Sequence, residues 1–362
     1  MLKILFAGGG TGGHLFPALA LAEEIRKIHP ASAIAFLGTP DHLEAKKVPE
    51  KNFPFFAVPS CGLKKSPMGV IRFGLTLLRA IWEARRILLE FNPDCVVGTG
   101  GYVSAPALLA AQSLGIPTFV QEQNARPGLA NRVIAKRAKL VAVAFEATKR
   151  YFPRAILFGN PIRTLPERAE ARKFFELAEG ERLILITGGS GGSMSINRAA
   201  LSIAPRLLSE GWRVLHLAGE KNLEKLLPPE DPRYCLVGFC DHMREAVAAC
   251  DFVVSRAGAS TLAELSAAGR PSLLIPYPHA GGHQKANAEE WVRSGAAELL
   301  LDQDLDELEK KLFPLLEKER REQMGEECKK LGRPAATKEL AEAILSLCDR
   351  DPSHNGKRAL KA

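Results

Sequence analysis

Gly8-Gly9-Gly10-Thr11-Gly12-Gly13-His14 is the stretch on which the fold turns. A short apolar run, Leu2 to Ala7, precedes it, and Leu15, Leu19, Ala22, Ile25 and Ile28 follow at helical spacing. That order reads as strand, glycine-rich turn, helix. Glycine admits positive φ and lets the backbone come close to a ligand. The free N–H groups that open the helix, together with its dipole, make an anion site. His14 stands at the edge of that site. A plain strand-to-helix turn does not need five glycines in six residues, so the loop is expected to cradle a phosphate or a sugar.

Two familiar phosphate motifs can be tested on these residues. Gly8, Gly10 and Gly13 satisfy G-x-G-x-x-G literally. A dinucleotide fold also wants an acid at the end of the second strand, to hold the ribose. The second strand, Ile34 to Leu37, ends in Leu37-Gly38, and Asp41 comes too late, at a helix start. A P-loop needs G-K-[ST], and here Gly13 is followed by His14.

At 362 residues the chain is long enough for two domains. Its 46% hydrophobic and 25% charged content is that of a globular protein. No apolar run reaches the roughly 18–20 residues of a membrane span, and Leu2 to Ala7 is too short for a signal peptide. The seven cysteines form no C-x-x-C pair and read as free thiols of a reducing cytoplasm. The net charge of +8 gathers in the first half. Between Cys61 and Glu90 stand six basic residues (Lys64, Lys65, Arg72, Arg79, Arg85, Arg86) against two acids, and between Arg126 and Arg154 eight against one, Glu146. No zinc finger, RNP-type aromatic motif or helix-turn-helix pattern accompanies them. An anionic membrane surface is therefore the expected partner, with no nucleic acid.

The segment from Pro67 supports that choice. Met68, Val70, Ile71, Phe73, Leu75, Leu77, Leu78, Ile81 and Trp82 lie among Arg72, Arg79, Arg85 and Arg86. These are too many apolar positions for one narrow core stripe. An amphipathic helix covering a sheet is the ordinary reading; the basic flank favours an interfacial helix. Strands are expected at Phe53 to Val58, Asp94 to Gly98, Pro117 to Val120, Leu140 to Ala144 and Ala155 to Phe158. A second glycine loop, Thr99 to Pro106, carries Tyr102 and Ser104, and the strand from Pro117 ends in Gln121-Glu122-Gln123-Asn124. Polar residues at a strand's carboxyl end are where α/β folds hold ligands.

After the linker Gly159-Asn160-Pro161-Ile162-Arg163 the plan repeats. Leu183 to Ile186 is a strand, Thr187 to Ser193 a glycine loop with Ser190 as a phosphate donor, and Ile196 to Leu208 a helix. Further strands are expected at Val214 to Leu217, Cys235 to Val237, Phe252 to Val254 and Ser272 to Ile275. The expectation is an α/β fold of two doubly wound, Rossmann-like domains facing across a cleft. The first is residues 1–160 with about 336–350, the second 161–335, and 351–362 is a disordered tail. Ser255-Arg256-Ala257-Gly258-Ala259-Ser260-Thr261-Leu262-Ala263-Glu264 starts a helix with small residues that can offer N–H groups and hydroxyls to a diphosphate. Glu264, one turn past Thr261, can accept two ribose hydroxyls, or it is a capping-box acid reaching back to the helix start. Arg163 can bring charge to the same diphosphate. Gln284 and Asn287 suit sugar hydroxyls. His279 and His283 lie in a loop with no third ligand, so no metal is expected there. Asp302-x-Asp304 reads as acids opening a helix from Leu305 to Leu316.

Taken in order, Gly9 to His14, Gly100-Gly101-Tyr102-Val103-Ser104, Glu122-Gln123-Asn124, Gly159 to Arg163, Gly188-Gly189-Ser190 and Arg256 to Glu264 resemble the MurG family. These are bacterial transferases that move GlcNAc from UDP-GlcNAc to lipid I, undecaprenyl-pyrophosphoryl-MurNAc-pentapeptide, making lipid II for peptidoglycan. The resemblance runs from Leu2 to about Leu347. It implies a GT-B fold, inversion at the sugar, no cofactor and no metal, and a peripheral place on the inner face of the cell membrane. It also implies the anionic membrane surface and other cell-wall synthesis proteins as partners. By motif it implies that Thr11, Gly12, Gly13, Asn124, Arg163, Ser190, Ala259, Ser260, Thr261, Leu262, Ala263, Glu264 and Gln284 contact the donor. The backbone at Phe239-Cys240 would meet the uracil, and Tyr102 and Ser104 would face the acceptor. Cys240 stands where an aliphatic residue is more usual, and Ser190-Gly191-Gly192 departs from the commoner S-Q-G.

The residues also suggest a mechanism. Transfer from a sugar diphosphate needs a base for the attacking hydroxyl and charge to stabilise the leaving UDP. His14 is the expected base; its rival role is to hold the acceptor diphosphate. A UDP-GlcNAc 2-epimerase would share the two-domain plan but has no use for the basic apolar segment. A non-catalytic nucleotide-sugar-binding module would not need His14, and a nicotinamide oxidoreductase would need the missing ribose acid.

Overall fold

The computed structural model describes residues 1–60, 66–278 and 282–349. Cys61, Lys64, Lys65, His279 and the expected tail from Asp351 lie outside the described residues. The chain divides into two units, Met1–Ile162 with the stretch from Ala335, and Arg163–Pro334.

In the first unit the strands are β1 (Lys3–Gly8), β2 (Ala33–Gly38), β3 (Phe55–Ala57), β4 (Cys95–Gly100), β5 (Thr118–Glu122), β6 (Leu140–Val143) and β7 (Ile156–Leu157). The helices between them are α1 (Gly12–Ile28), α2 (Leu43–Lys47), α3 (Pro67–Phe91), α4 (Ser104–Ser113) and α5 (Leu129–Ile134). The second unit carries α6 (Arg168–Phe174), β8 (Arg182–Thr187), α7 (Met194–Ser209), β9 (Trp212–Leu217), β10 (Tyr234–Val237), α8 (Met243–Ala249), β11 (Phe252–Ser255), α9 (Ala259–Ala268), β12 (Ser272–Leu274), α10 (His283–Ser294), β13 (Ala297–Leu299), α11 (Leu308–Leu312) and α12 (Lys318–Leu331). The last helix, α13 (Ala336–Asp349), returns to the first unit.

All strand pairs are parallel. The sheet orders are β3-β2-β1-β4-β5-β6-β7 and β10-β9-β8-β11-β12-β13. Both are doubly wound: the chain lays strands outward from β1 or β8, then returns to the other side at β4 or β11. Open α/β sheets bind ligands at that reversal, beyond the strands' carboxyl ends. In the first unit the loops there are Gly9–Thr11 and Gly101–Val103; in the second they are Gly188–Ser193 and Arg256–Gly258.

Alternation along β1 builds both faces of the first core. Ile4 and Phe6 pack with Leu15, Leu19 and Ile344 under α1 and α13, while Leu5 and Ala7 pack with Ala84, Ala107 and Leu108 under α3 and α4. Burial on both faces is why parallel strands read as unbroken apolar runs such as Leu183 to Ile186. The second core gathers Ile184, Trp212, Phe252 and Met324. Thr337 Oγ1 donates to Ile162 O (2.6 Å) and accepts from Ile162 N (2.9 Å), fastening α13 to the end of the first unit's main segment.

Several expected elements are corrected. β4 runs through Thr99 and Gly100, part of the expected glycine loop, because Gly100 pairs with Gly8 across a register shift in β1. β3 is only Phe55–Ala57. β13 was not anticipated; three residues after Gly295 leave too short a signal. The expected helix Leu305 to Leu316 is broken into two 3-10 turns, Asp302–Glu307 and Phe313–Leu316, on either side of α11. Asp304 (φ −106°, ψ 22°) leaves helical geometry before α11, and Pro314, which lacks an N–H, withholds a ladder bond just after it.

Candidate active site

Thr11, in extended conformation, is the N-cap of α1, so Gly12 and Gly13 form its first turn. The loop is held from beneath by Glu44, which no motif in the sequence marks. Its fully buried carboxylate accepts from Gly10 N (3.0 and 3.1 Å), Thr39 N (3.1 Å) and Thr39 Oγ1 (2.6 Å). Burial pushes this carboxyl up, but the donors from Thr39 and Gly10 win and hold it below its ordinary value. Glu44 follows β2, roughly where a dinucleotide fold keeps its ribose acid. It is spent on the backbone and has no exposed oxygen for a ribose.

His14, partly buried, turns toward the second glycine loop. Its Nδ1 lies 3.1 Å from Thr99 O, and Thr99 Oγ1 donates back to His14 O (2.9 Å). Gly100 (φ +103°) leaves room for the ring, since a Cβ there would stand 2.6 Å from His14 Nδ1. At Gly101 (φ +83°) a Cβ would stand 2.4 Å from Gly9 O, so the two loops touch backbone to backbone. A carbonyl only accepts, so Nδ1 carries the hydrogen, and in the neutral ring Nε2 is then the nitrogen with the lone pair.

Around this pair, Tyr102 is 60% exposed. Ser104 starts α4 buried, its Oγ without a hydrogen-bond partner among the described residues. Asn124 is anchored by Glu122, whose buried carboxylate also accepts from Asn131 Nδ2 (2.8 Å) and Gly128 N (3.3 Å). Gln123 Nε2 donates to Thr99 O.

The remaining expected donor contacts lie in the second unit. Ser190 is exposed in the loop after β8, and Ser193 caps α7 through Ile196 N. Gly258 precedes α9, whose first turn presents the backbone of Ala259, Ser260 and Thr261. Leu262 is fully buried, so only its backbone could meet a ligand. Ala263 and Glu264 are partly exposed on the same helix. Burial pushes the Glu264 carboxyl up to about 7 against the opposing charges of Arg163 and Arg244; among the described residues its side chain has no hydrogen-bond donor, so it does not cap the helix. Arg163 is exposed. Gln284 Oε1 accepts from Tyr277 N (2.8 Å). Asn287, expected to meet a sugar, is instead fully buried and donates to Ala257 O (3.3 Å), holding the loop before α9. Phe239 is exposed and Cys240 partly buried; burial raises the Cys240 thiol. Among the described residues no three His, Cys, Asp or Glu side chains gather as a metal-binding group.

α3 begins at Ser66, whose Oγ accepts from Gly69 N (3.1 Å), and ends at Asn92 in left-handed conformation. Over 25 residues it buries only Ala80, Ala84 and Leu88. Met68, Leu75, Leu78 and Trp82 are each more than 60% exposed. Phe73 meets Tyr102 edge-on at 6.4 Å, joining this helix to the second glycine loop. Among the described residues no helix is long and apolar enough to cross a membrane.

The glycosyltransferase family 28 N-terminal domain matches residues 4–143 and the family's C-terminal domain residues 183–341. A UDP-N-acetylglucosamine–N-acetylmuramyl-(pentapeptide) pyrophosphoryl-undecaprenol N-acetylglucosamine transferase of Prosthecochloris aestuarii is 40% identical, covering 96% of this chain and all of its own (100%). The crystal structure of MurG from Acinetobacter baumannii is 28% identical with a TM-score of 0.75, covering 96% of this chain and 100% of that one. A UDP-GlcNAc 2-epimerase from Neisseria meningitidis has the same fold at 16% identity, with a TM-score of 0.65 over 95% of this chain and 100% of that one. With both family domains matched in order and a relative of this identity aligned end to end, the chain belongs to glycosyltransferase family 28 and, within it, to the MurG family.

Proposed function

We infer that this chain transfers GlcNAc from UDP-GlcNAc to the 4-hydroxyl of MurNAc in lipid I, releasing UDP and forming lipid II. The observation that carries the chemistry is the bond from His14 Nδ1 to Thr99 O, which leaves Nε2 as the proton acceptor. Nε2 takes the hydroxyl proton as the oxygen attacks C1 of the donor sugar. The new C1–O bond forms on the face opposite the breaking C1–O bond to UDP, so the configuration inverts.

The leaving diphosphate gains negative charge as that bond breaks. The N–H groups opening α9, the Ser190 hydroxyl and the exposed Arg163 guanidinium are the groups suited to receive it. The Glu264 carboxylate accepts the ribose hydroxyls, and the backbone at Cys240 reads the uracil. In the first unit, Tyr102 is the exposed side chain suited to face the acceptor, Ser104 being buried at the start of α4, and Thr11, Gly12, Gly13 and Asn124 are the residues suited to contact the donor.

The acceptor is a polyprenyl lipid, and the exposed apolar face of α3 with Arg72, Arg79, Arg85 and Arg86 supports peripheral docking on the anionic inner face of the membrane. Basic side chains seek anionic headgroups while Met68, Leu75 and Trp82 enter the interface.

The test is UDP release from UDP-GlcNAc by the purified protein in EDTA, with and without a lipid I analogue. Release only with the acceptor, giving a disaccharide product, is the expected result. Release without acceptor, together with ManNAc, would point to epimerisation. His14→Gln is expected to lower kcat by about 10²–10⁴ with little change in donor KM. Near-normal turnover of that variant would instead assign His14 to holding the acceptor diphosphate.

A further inference from the structure

We propose that Gln123 is a positioning residue for the transfer, holding the Thr99 carbonyl on His14 Nδ1 and so determining which ring nitrogen is free. This rests on the reading of His14 as the base. Thr99 O is available for the task because β4 is irregular at that point. Its pairing with β5 stops at Gly98 opposite Val120, and its pairing with β1 shifts register between Ala7 and Gly8. The carbonyl accepts from two side chains instead, His14 Nδ1 and Gln123 Nε2.

Gln123 is the first residue past β5 and only 1% exposed. Its Oε1 has no hydrogen-bond partner among the described residues. Turning the amide over would set that oxygen against the Thr99 carbonyl, two acceptors facing each other, so its orientation is determined. A buried amide oxygen left unpaired costs stability. The side chain thus gives up part of its own hydrogen bonding and keeps one N–H on the carbonyl that orients the base. When Nε2 takes the proton, the Nδ1–H to carbonyl bond becomes charge-assisted and strengthens. That tightening belongs to the His14–Thr99 contact and lowers the barrier rather than the ground state; Gln123 acts on it only through the carbonyl it holds, so its loss is read in kcat.

The experiment compares full-length wild type, Gln123→Met and Gln123→Glu by steady-state kinetics and by ¹⁵N NMR of the histidine rings, with His14→Gln identifying the His14 signals among the eight histidines. Wild type is expected to show His14 as the Nδ1–H tautomer. Q123M removes the donor at similar volume. It is expected to mix the tautomers and lower kcat by about tenfold to a hundredfold, with donor KM within about twofold. Q123E can donate only when its carboxyl is protonated, so its kcat relative to wild type should rise as pH falls, a second readout should Q123M not fold. Wild-type kcat or an unchanged His14 tautomer in folded Q123M would overturn the proposal, as would a Q123E:wild-type ratio independent of pH. A turnover-competent His14→Gln would overturn the base reading and the catalytic part of this proposal with it, even with the tautomer shifted in Q123M.

Discussion

Asp302 Oδ1 stands 2.5 Å from Arg256 Nη1, an ion pair in which the arginine side chain is only 9% exposed. The same guanidinium donates to Ser193 Oγ (2.7 Å), Ile275 O (3.1 Å) and Pro276 O (3.3 Å), and Asp302 accepts from Ser195 Oγ (2.9 Å). One buried cation thus ties the loop after β8, the loop before α9 and the end of β12. Asp302 opens a 3-10 turn, Asp302–Glu307, as expected of an acid at a helix start, and it also neutralises this cation.

Removing Asp302 leaves the guanidinium buried and underpaired. Asp302→Ala is expected to lose about 2–3 kcal/mol, somewhat less than a fully buried pair because the aspartate keeps some solvent. Donor KM should rise with it, because Ser193 and α9 lose their common tie. Urea unfolding and donor kinetics check this; unchanged stability would mean that the pair is ornamental.

With Glu264 holding the ribose as proposed, donor binding is expected to depend on pH. Burial pushes its carboxyl up to about 7, so below that pH it is protonated and would no longer be a full acceptor for the ribose. Donor KM of wild type is expected to rise as pH falls from 8 to 6, approaching tenfold per pH unit at the acid end. Glu264→Gln should bind weakly throughout, without this dependence. A wild-type donor KM that is flat over this range would remove Glu264 from the ribose.

His216 makes folding acid-sensitive. It is fully buried, bonded to Tyr234 OH (2.8 Å) and Asn197 Oδ1 (3.1 Å), and burial lowers its pKa to about 4. The unfolded chain, near 6.5, takes up the proton first. Stability from the neutral ring is therefore full above about 6.5 and lost as pH falls toward 4, on the order of 3 kcal/mol in all. Unfolding free energies at pH 7 and pH 4.5 should differ more in wild type than in His216→Gln.

The outer face of α3 should matter to vesicles and not to folding. Leu75→Asp and Trp82→Asp replace exposed side chains, so stability should change by no more than about 0.5 kcal/mol. Sedimentation with anionic vesicles is expected to fall while turnover of a water-soluble acceptor analogue persists. Undiminished vesicle binding by the double variant would exclude this face as the docking surface.

How much of this was legible in the chain depends on the range of the interaction. The two doubly wound sheets were legible because Ile4 to Ala7 and Leu183 to Ile186 are unbroken apolar runs, as strands buried on both faces require. β13 and the broken helix around α11 were not, since three residues carry little pattern and a single proline has to be weighed against a helical spacing. The apolar excess on α3 was visible, but which stripe faces inward was not. α3 turns Ala84 and Leu88 inward because they share a core with the small residues Ala107, Ala110 and Ala111 of α4.

The sequence by itself determined the glycine loops that carry His14 and Ser190 and the helices that follow them, and the helix start at Ala259. Strand, turn and helix there are contiguous, and glycine's freedom and the helix dipole act over a few residues. Only the tertiary structure decided what each polar group does. Glu44 reaches Gly10 across 34 residues, Asp302 reaches Ser195 across 107, and Gln123 reaches Thr99 across 24. A buried carboxylate or amide takes its role, and its pKa, from the donors that the folded chain brings to it. No local pattern of residue types encodes which partner a distant strand end will supply.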